Sequence, residues 1–413
     1  MANIFQNPTM IAKEALMHLK NNCVMGNLVY RGYEKEWHNR PNGWHVGQTV
    51  YVKTPNYFRV KDGNTVSTVE LFEQTTPFTV NYRKHVAWSI SALEMTLDID
   101  KWSKEYLEPA MQAISNFIDV SLLGLYNGIP NQVGTPGTTP KDFITMALAG
   151  AKLTQHATPL NDRHLVLEPI AQAYIANEMK GLFHPQMVGS AFQRSKLPPV
   201  AGFETYVSQN VNTHTNGTAM SGLTIQKNLI STEEDTTLSI KSGGTTETFK
   251  KGDIFTIAAV NGVNPISGIS TGVLRQWVVD ADAVMDGAGE VAALTCTPGT
   301  APYNIRSATA AAAKLPYQNM DALPADGAVI TPEGTTGQIY PVNLSFHRNC
   351  LGLAMVPLEI PASAHWKATM SHEGYTISVV RYFDGATLTE TIRFDVLFGL
   401  KVLNPFLGCR IAG

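Results

Sequence analysis

At 413 residues the chain is longer than one hydrophobic core usually supports, so two or more domains are expected. Hydrophobic residues make up 44%, which excludes a disordered chain, and charged residues fall to 16% while Gly, Ser, Thr and Asn take their place. The formal net charge is −3 with Lys and Arg scattered singly, which argues against a protein that grips nucleic acid through basic stripes.

The first element opens at Asn7-Pro8-Thr9, where Asn7 suits an N-cap and Pro8 the first helical turn. Ile11, Ala15, Leu16 and Leu19 then recur at helical spacing, with Lys13, Glu14, His18 and Lys20 mostly opposite. Such a short amphipathic arm needs a partner surface, and Ile11 and Leu16 are candidates for contact with another copy of the chain. Residues 47–53 alternate, with Val50 and Val52 on one face. Residues 55–75 are polar and extended, broken by Asp62-Gly63, and residues 79–93 return as a strand carrying Val80, Tyr82, Val86, Trp88 and Ile90. That order predicts a long hairpin reaching away from its own domain. On it, Lys53, Arg59 and Lys61 are placed to meet acidic groups such as Glu70 and Glu73 of a second copy.

The clearest helical signal covers residues 98–127. Leu107, Met111, Ile114, Ile118, Leu122 and Leu125 form its stripe, and Glu108, Gln112, Ser115 and Asp119 are expected opposite. Gly128 ends it and Pro130 prevents continuation, giving a spine of about 40 Å. A second helix is expected from Pro140, capped by Thr139, with Phe143, Ile144, Ala147, Leu148 and Ala151 as its packed face. Residues 163–168 read as a strand, Pro169 opens a helix to about Lys180, and residues 200–207 alternate.

Near Asn210 the composition shifts to Thr, Gly, Ser and Asn. Short strands are predicted at 237–241, 246–249, 253–260, 275–279 and 291–296, with turns at Asn261-Gly262 and Asp286-Gly287. This reads as a small all-β barrel or sandwich inserted into an α+β body. Its loop of residues 227–236, with Glu233, Glu234 and Asp235, is another candidate contact. Residues 376–383 form a strand, Asp384-Gly385 a hairpin turn, and residues 392–402 alternate to the end of the last long strand.

Signatures of chemistry are weak. Gly287-Ala288-Gly289-Glu290-Val291-Ala292 fits a dinucleotide fingerprint, but Leu294-Thr295-Cys296-Thr297-Pro298 after it is no helix, so a hairpin turn is the better reading. Cys23, Cys296, Cys350 and Cys409 are too widely spaced for a CxxC or zinc pattern, and His347 with Cys350 makes an incomplete metal pair. No HExxH, GxSxG or GxxxxGK[ST] occurs. No catalytic residue, metal or cofactor is therefore expected. The N-terminal stretch lacks the pattern of a signal peptide, and no apolar run reaches about 18 residues. A soluble protein made in a cytoplasm is expected.

The order of arm, hairpin, spine helix, mixed region and strand-rich return resembles the major capsid fold of tailed phages, the HK-ninety-seven-like fold. The local sequence resembles the P-twenty-two-type coat family within it. The residues that carry the likeness are Gly47-Gln48-Thr49-Val50, Val86-Ala87-Trp88-Ser89-Ile90, Val200-Ala201-Gly202-Phe203, Lys251-Gly252-Asp253-Ile254-Phe255, Val260-Asn261-Gly262-Val263-Asn264-Pro265, Phe346-His347-Arg348-Asn349 and Phe398-Gly399-Leu400-Lys401-Val402-Leu403-Asn404-Pro405. The resemblance implies an α+β fold with an inserted small all-β domain, the I-domain. It divides the chain into an arm (1–40), a strand and extended hairpin or E-loop (41–96), a spine helix (97–139), the first part of an axial domain (140–211), the I-domain (212–342) and C-terminal axial and peripheral strands (343–413). It further implies hexamers and pentamers of one subunit in an icosahedral shell around double-stranded DNA. Scaffolding, portal and decoration proteins are its implied partners, and assembly in a bacterial host cytoplasm its implied setting. An encapsulin-like compartment shell of the same fold is the alternative, and an enzyme or adhesin with an α+β body the remoter one.

Overall fold

Apolar residues at every second position of 392–400 can all reach one side of a strand, and that side builds the first half of the molecule. The computed structural model describes residues 8–38, 49–53, 55–58, 60, 63–64, 66, 73, 75–91, 103–178, 197, 199–226, 237–297, 305–306, 318–361, 363–364 and 366–412. The chain divides into two compact units. One comprises Met1–Val52, Pro77–Leu122 and Leu351–Lys401, and the other Lys53–Thr76, Leu123–Cys350 and Val402–Gly413.

The first unit is built on a sheet in the order Thr49–Lys53, Thr75–Ser91, Thr389–Val402, Tyr375–Asp384 and Trp366–His372, with Leu351–Met355 also pairing with Thr389–Val402. Ile392, Phe394, Val396 and Phe398 are buried on its inner face. Cross-strand aromatic pairs fix the register: Tyr82 stacks on Phe398 at 5.3 Å and Trp88 on Phe394 at 5.5 Å. Gly399 stands where a side chain would strike the Thr79 carbonyl, beside the register shift between Val80 and Tyr82.

The spine is helical from Ser103, and its regular α segment, Glu108–Leu123, spans only about 24 Å. Ser103–Leu107 is a π turn. Pro109 explains it, because it cannot donate to the carbonyl of residue 105, so the hydrogen-bond ladder opens there. Leu107, Met111, Ile114, Ile118 and Leu122 are buried as expected, but so are Ser115 and Asp119. The arm helix Pro8–Asn22 lies on Trp366–His372 and Tyr375–Asp384 of its own chain and buries Ile11, Ala12, Ala15, Leu16 and Leu19 there.

The second unit contains a sheet in the order Gln132–Gly134, Gly408–Ala412, Ile339–His347, Arg163–Leu167 and Glu204–Val207, with Thr213–Thr215 pairing with Ile339–His347. The helix Phe143–Gln155 covers it with Met146, Ala149, Gly150 and Leu153. The face expected to pack, with Phe143, Ile144 and Leu148, points outward instead, and Asp142, not Thr139, is the N-cap. Both stripes are apolar, so periodicity alone does not choose between them. The stripe that packs shares a core with Phe203, through Met146, Ala149 and Leu153. Ala201 and Gly202, both at positive φ, form the two-residue turn that brings Phe203 back on Val200.

Six antiparallel strands between these sheet strands close into a barrel. Around the ring they are Leu223–Ile225, Thr237–Lys241, Glu290–Thr297, Ser270–Val279, Ile254–Val263 and Val329–Pro332, and the last pairs with the first. Leu223, Ile240, Phe255, Ile257, Trp277 and Leu294 belong to its core. Closure removes the unpaired edges that such short strands would otherwise present. Asn261-Gly262 is not a turn but lies within Ile254–Val263 at a bulge, where Asp321 accepts hydrogen bonds from the Asn261 N–H (2.8 Å) and Nδ2 (2.9 Å). The hairpin turns later, at Asn264, whose N–H donates to the Ile269 carbonyl. Asp286-Gly287 does turn, and the Gly289 N–H donates to the Asp286 carbonyl before the strand Glu290–Thr297 begins.

Candidate assembly interface

In the first unit two buried carboxylates fasten the N-terminal segment. Asp119, on the spine, accepts the N–H groups of Val24 (2.8 Å), Met25 (3.0 Å) and Gly26 (3.3 Å), the free donors at the start of the short helix Met25–Leu28. Burial pushes its carboxyl up to about 6 against the pull of those hydrogen bonds. Glu34 accepts the Met355 N–H at 3.4 Å and packs so closely on Gly374 that a side chain there would overlap its Oε2. Burial pushes Glu34 up to about 7, with the Met355 hydrogen bond and Arg31 opposing. Arg31 itself lies over the Tyr375 ring, 4.4 Å from its centroid.

In the second unit the barrel is tied to the adjoining sheet by polar groups. His214 Nε2 lies 3.0 Å from Asp253 Oδ1, and its Nδ1 lies 3.1 Å from the Tyr126 hydroxyl. Asp253 also accepts the N–H groups of Lys250 (2.7 Å) and Gly217. The order carboxylate, imidazole, hydroxyl mimics a catalytic relay. His214 and Asp253 are each only 2% exposed, however, so no substrate reaches them and the chain acts as a tie. Arg410 donates to the Gly252 carbonyl at 2.6 Å, and burial lowers its guanidinium to about 10. The Gln276 amide clasps the Gln132 backbone, accepting its N–H (2.9 Å) and donating to its carbonyl (3.0 Å). Asn264 Nδ2 donates to the Gln155 carbonyl at 2.9 Å.

The structure separates the residues expected to touch another copy. Ile11 and Leu16 are 8% and 3% exposed, buried against their own chain, because the arm finds its partner surface on the adjacent sheet. Met10 and Met17 face outward instead. Lys53 pairs with Glu73 at 2.8 Å within one copy, and both side chains stay exposed. Arg59, Lys61, Glu70, Glu233, Glu234 and Asp235 lie outside the described residues. Three apolar groups that were not among the expected contacts are exposed. They are Phe58, Val60 and Val66 on the hairpin, Phe143, Ile144 and Leu148 on one helix, and Tyr382, Phe383 and Leu388 about the turn after Tyr375–Asp384. Leu388 holds φ of 51°, a left-handed conformation costly for a bulky residue.

Cys23, Cys296, Cys350 and Cys409 are buried free thiols, and among the described residues no three His, Cys, Asp or Glu side chains group as metal ligands. No helix among the described residues is long and apolar enough to cross a membrane.

The family model described as P22 coat protein - gene protein 5 matches residues 1–413. The major capsid protein of Acyrthosiphon pisum secondary endosymbiont phage 1 is 21% identical over 299 residues, 68% of either chain. A solved structure from Mycobacterium phage Che8 superposes with a TM-score of 0.50 at 10% identity, covering 94% of this chain and 90% of that one. The capsid structure of cyanophage P-SCSP1u aligns over 89% of this chain and 83% of that one at 8% identity, with a TM-score of 0.43.

Proposed function

The chain belongs to the P22 coat protein family and is a phage major capsid protein of HK-ninety-seven-like fold that assembles into capsid shells; on that premise we propose that its exposed apolar groups are where the copies meet. Hexamers and pentamers of the subunit form an icosahedral shell around double-stranded DNA, held without sequence-specific contacts. A scaffolding protein guides assembly in the bacterial host cytoplasm, and a portal protein joins the shell. Residues 212–342 act as the inserted domain, and its 227–236 loop, with Glu233, Glu234 and Asp235, joins neighbouring capsomers. Arg59, Lys61 and Glu70 add ion pairs between copies, each contributing about 0–1 kcal/mol.

The observation that carries this reading is the hairpin. Phe58, Val60 and Val66 are 68%, 97% and 90% exposed on a segment with no strand pairing among its described residues. Three large apolar side chains so displayed mark a surface that is covered in the working state. Burying each fully would contribute about 1.5–3 kcal/mol, repeated at every equivalent position of a closed shell.

The test is the triple substitution Phe58→Ser, Val60→Ser and Val66→Ser, co-expressed with the scaffolding protein. The expected result is a monomer with unchanged circular dichroism and melting temperature that yields no closed shells by electron microscopy. Shells in normal number from that variant would refute the hairpin's role.

A further inference from the structure

Phe406, in the turn Pro405–Leu407, is where the barrel and the neighbouring sheet meet through charge. Arg275, from the barrel strand Ser270–Val279, sets its guanidinium carbon 4.3 Å from the Phe406 centroid. His156, the C-cap of Phe143–Gln155, stacks on the same ring at 5.3 Å with the planes inclined by 22°. Lys152 stands one turn earlier on that helix. Among the described residues, the two charged groups whose fields act on the His156 ring are therefore both cationic, Arg275 from the barrel and Lys152 from its own helix. Phe406, the third neighbour, carries no charge. The carboxylate of Glu333 acts on Lys152 rather than on His156.

Apart from its polar ties, the joint has no shared apolar core among the described residues. The barrel core about Phe255 and Trp277 and the sheet core about Leu165 and Phe203 are separate clusters. Arg275 is 2% exposed, and its Nε and Nη2 find no acceptor among the described residues. A buried cation so placed already costs free energy. A second, ionised against the same Phe406 ring, would add repulsion in a medium that screens charge weakly.

We infer that His156 is an acid-sensitive wedge: neutral, it lets the barrel sit against the helix Phe143–Gln155, and on gaining a proton it drives the barrel off. The sign follows from its surroundings. Burial first, then Arg275 and Lys152, holds the imidazole well below its usual range while the barrel is docked. A group whose docked affinity for protons is depressed favours docking above its free value of about 6.5, and that advantage is lost as the pH falls below it. Each unit of pH below that point shifts the opening equilibrium by up to about tenfold, until the docked form itself takes up the proton. Opening therefore breaks the Gln276–Gln132 and Asn264–Gln155 hydrogen bonds but parts no shared apolar cluster.

Hydrogen exchange of the full chain, corrected for the intrinsic rate and stepped from pH 7.5 to 4.5, tests this. Peptides covering 129–134, 143–156 and 264–279 should lose protection together below about pH 6.5 while the barrel interior stays protected. His156→Gln should abolish that step without changing protection at pH 7.5. Lys152→Met removes one of the two opposing cations, so its step should be smaller and level off at a higher pH, which gives a second reading if the Gln variant folds poorly. An unchanged step in both variants, or no step in the wild type, overturns the inference.

Discussion

Replacing Asp119 separates two opposed effects that the structure places on one side chain. Its carboxylate accepts three buried N–H groups, from Val24, Met25 and Gly26. Hydrogen bonds to an ionised acceptor contribute about 1.5–3 kcal/mol each at most, less when three share two oxygens. Against them, burial raises the carboxyl from 3.8 to about 6, which at neutral pH corresponds to about 3 kcal/mol lost by ionising it inside the fold. The sign is that of a raised acid: its contribution is fully present below about pH 4 and is lost as the pH rises through about 6. Asp119→Asn keeps an acceptor and removes the charge, so stability at pH 8 should rise and its loss between pH 5 and 8 should shrink by about 1 kcal/mol. Asp119→Ala leaves three donors unanswered and should cost about 3 kcal/mol. Urea unfolding of the monomer at pH 5 and pH 8, followed by tryptophan fluorescence, measures both. If the Ala variant lost under 1 kcal/mol, or the Asn variant kept the wild-type pH slope, Asp119 would not be the fastening of the N-terminal segment.

Glu34→Gln should raise the melting temperature at pH 8 and leave it little changed at pH 5, because burial pushes the native carboxyl up to about 7 and its ionised form is the disfavoured one. Gly374→Ala meets both a φ of 82° and the Glu34 carboxylate, and should cost about 1–3 kcal/mol by urea unfolding, with part recovered in the Glu34→Ala background. Lys53→Ala should change monomer stability by less than about 0.5 kcal/mol in low salt and not at all in high salt, since its bond to Glu73 is exposed on both sides.

The two periodic patterns were readable because each side chain's destination is set locally. Phe394, Val396 and Phe398 alternate, and Met111, Ile114 and Ile118 step by helical turns, whatever lies opposite them. The helix from Phe143 shows where that logic ends. Two apolar stripes fit one helix, and the choice rests on partners distant in the chain such as Phe203, which shares a core with Met146, Ala149 and Leu153. Asn261-Gly262 fails for a related reason, since a distant carboxylate, Asp321, satisfies the backbone that would otherwise turn. The family resemblance named the fold from ordered short motifs, and these say nothing about which side chains remain exposed.

The scarcity of charge that the composition shows is sharper at the surface than it looks. Of a chain only 16% charged, Glu34, Asp119, Arg163, Asp253, Arg275, Asp395 and Arg410 are buried, and several of them join segments far apart in sequence. Asp119 reaches Val24 across 95 residues and Arg410 reaches Gly252 across 158. Such ties must be satisfied in one geometry, so they specify how segments dock more than they add stability. Each one also removes an ion from the surface. The outside keeps most of the charged residues and also carries Phe58, Val60, Phe143, Ile144 and Leu388, apolar groups whose contacts would be individually weak and little altered by salt. A subunit that must close a shell without trapping errors needs that division: exacting bonds within the copy and forgiving ones between copies.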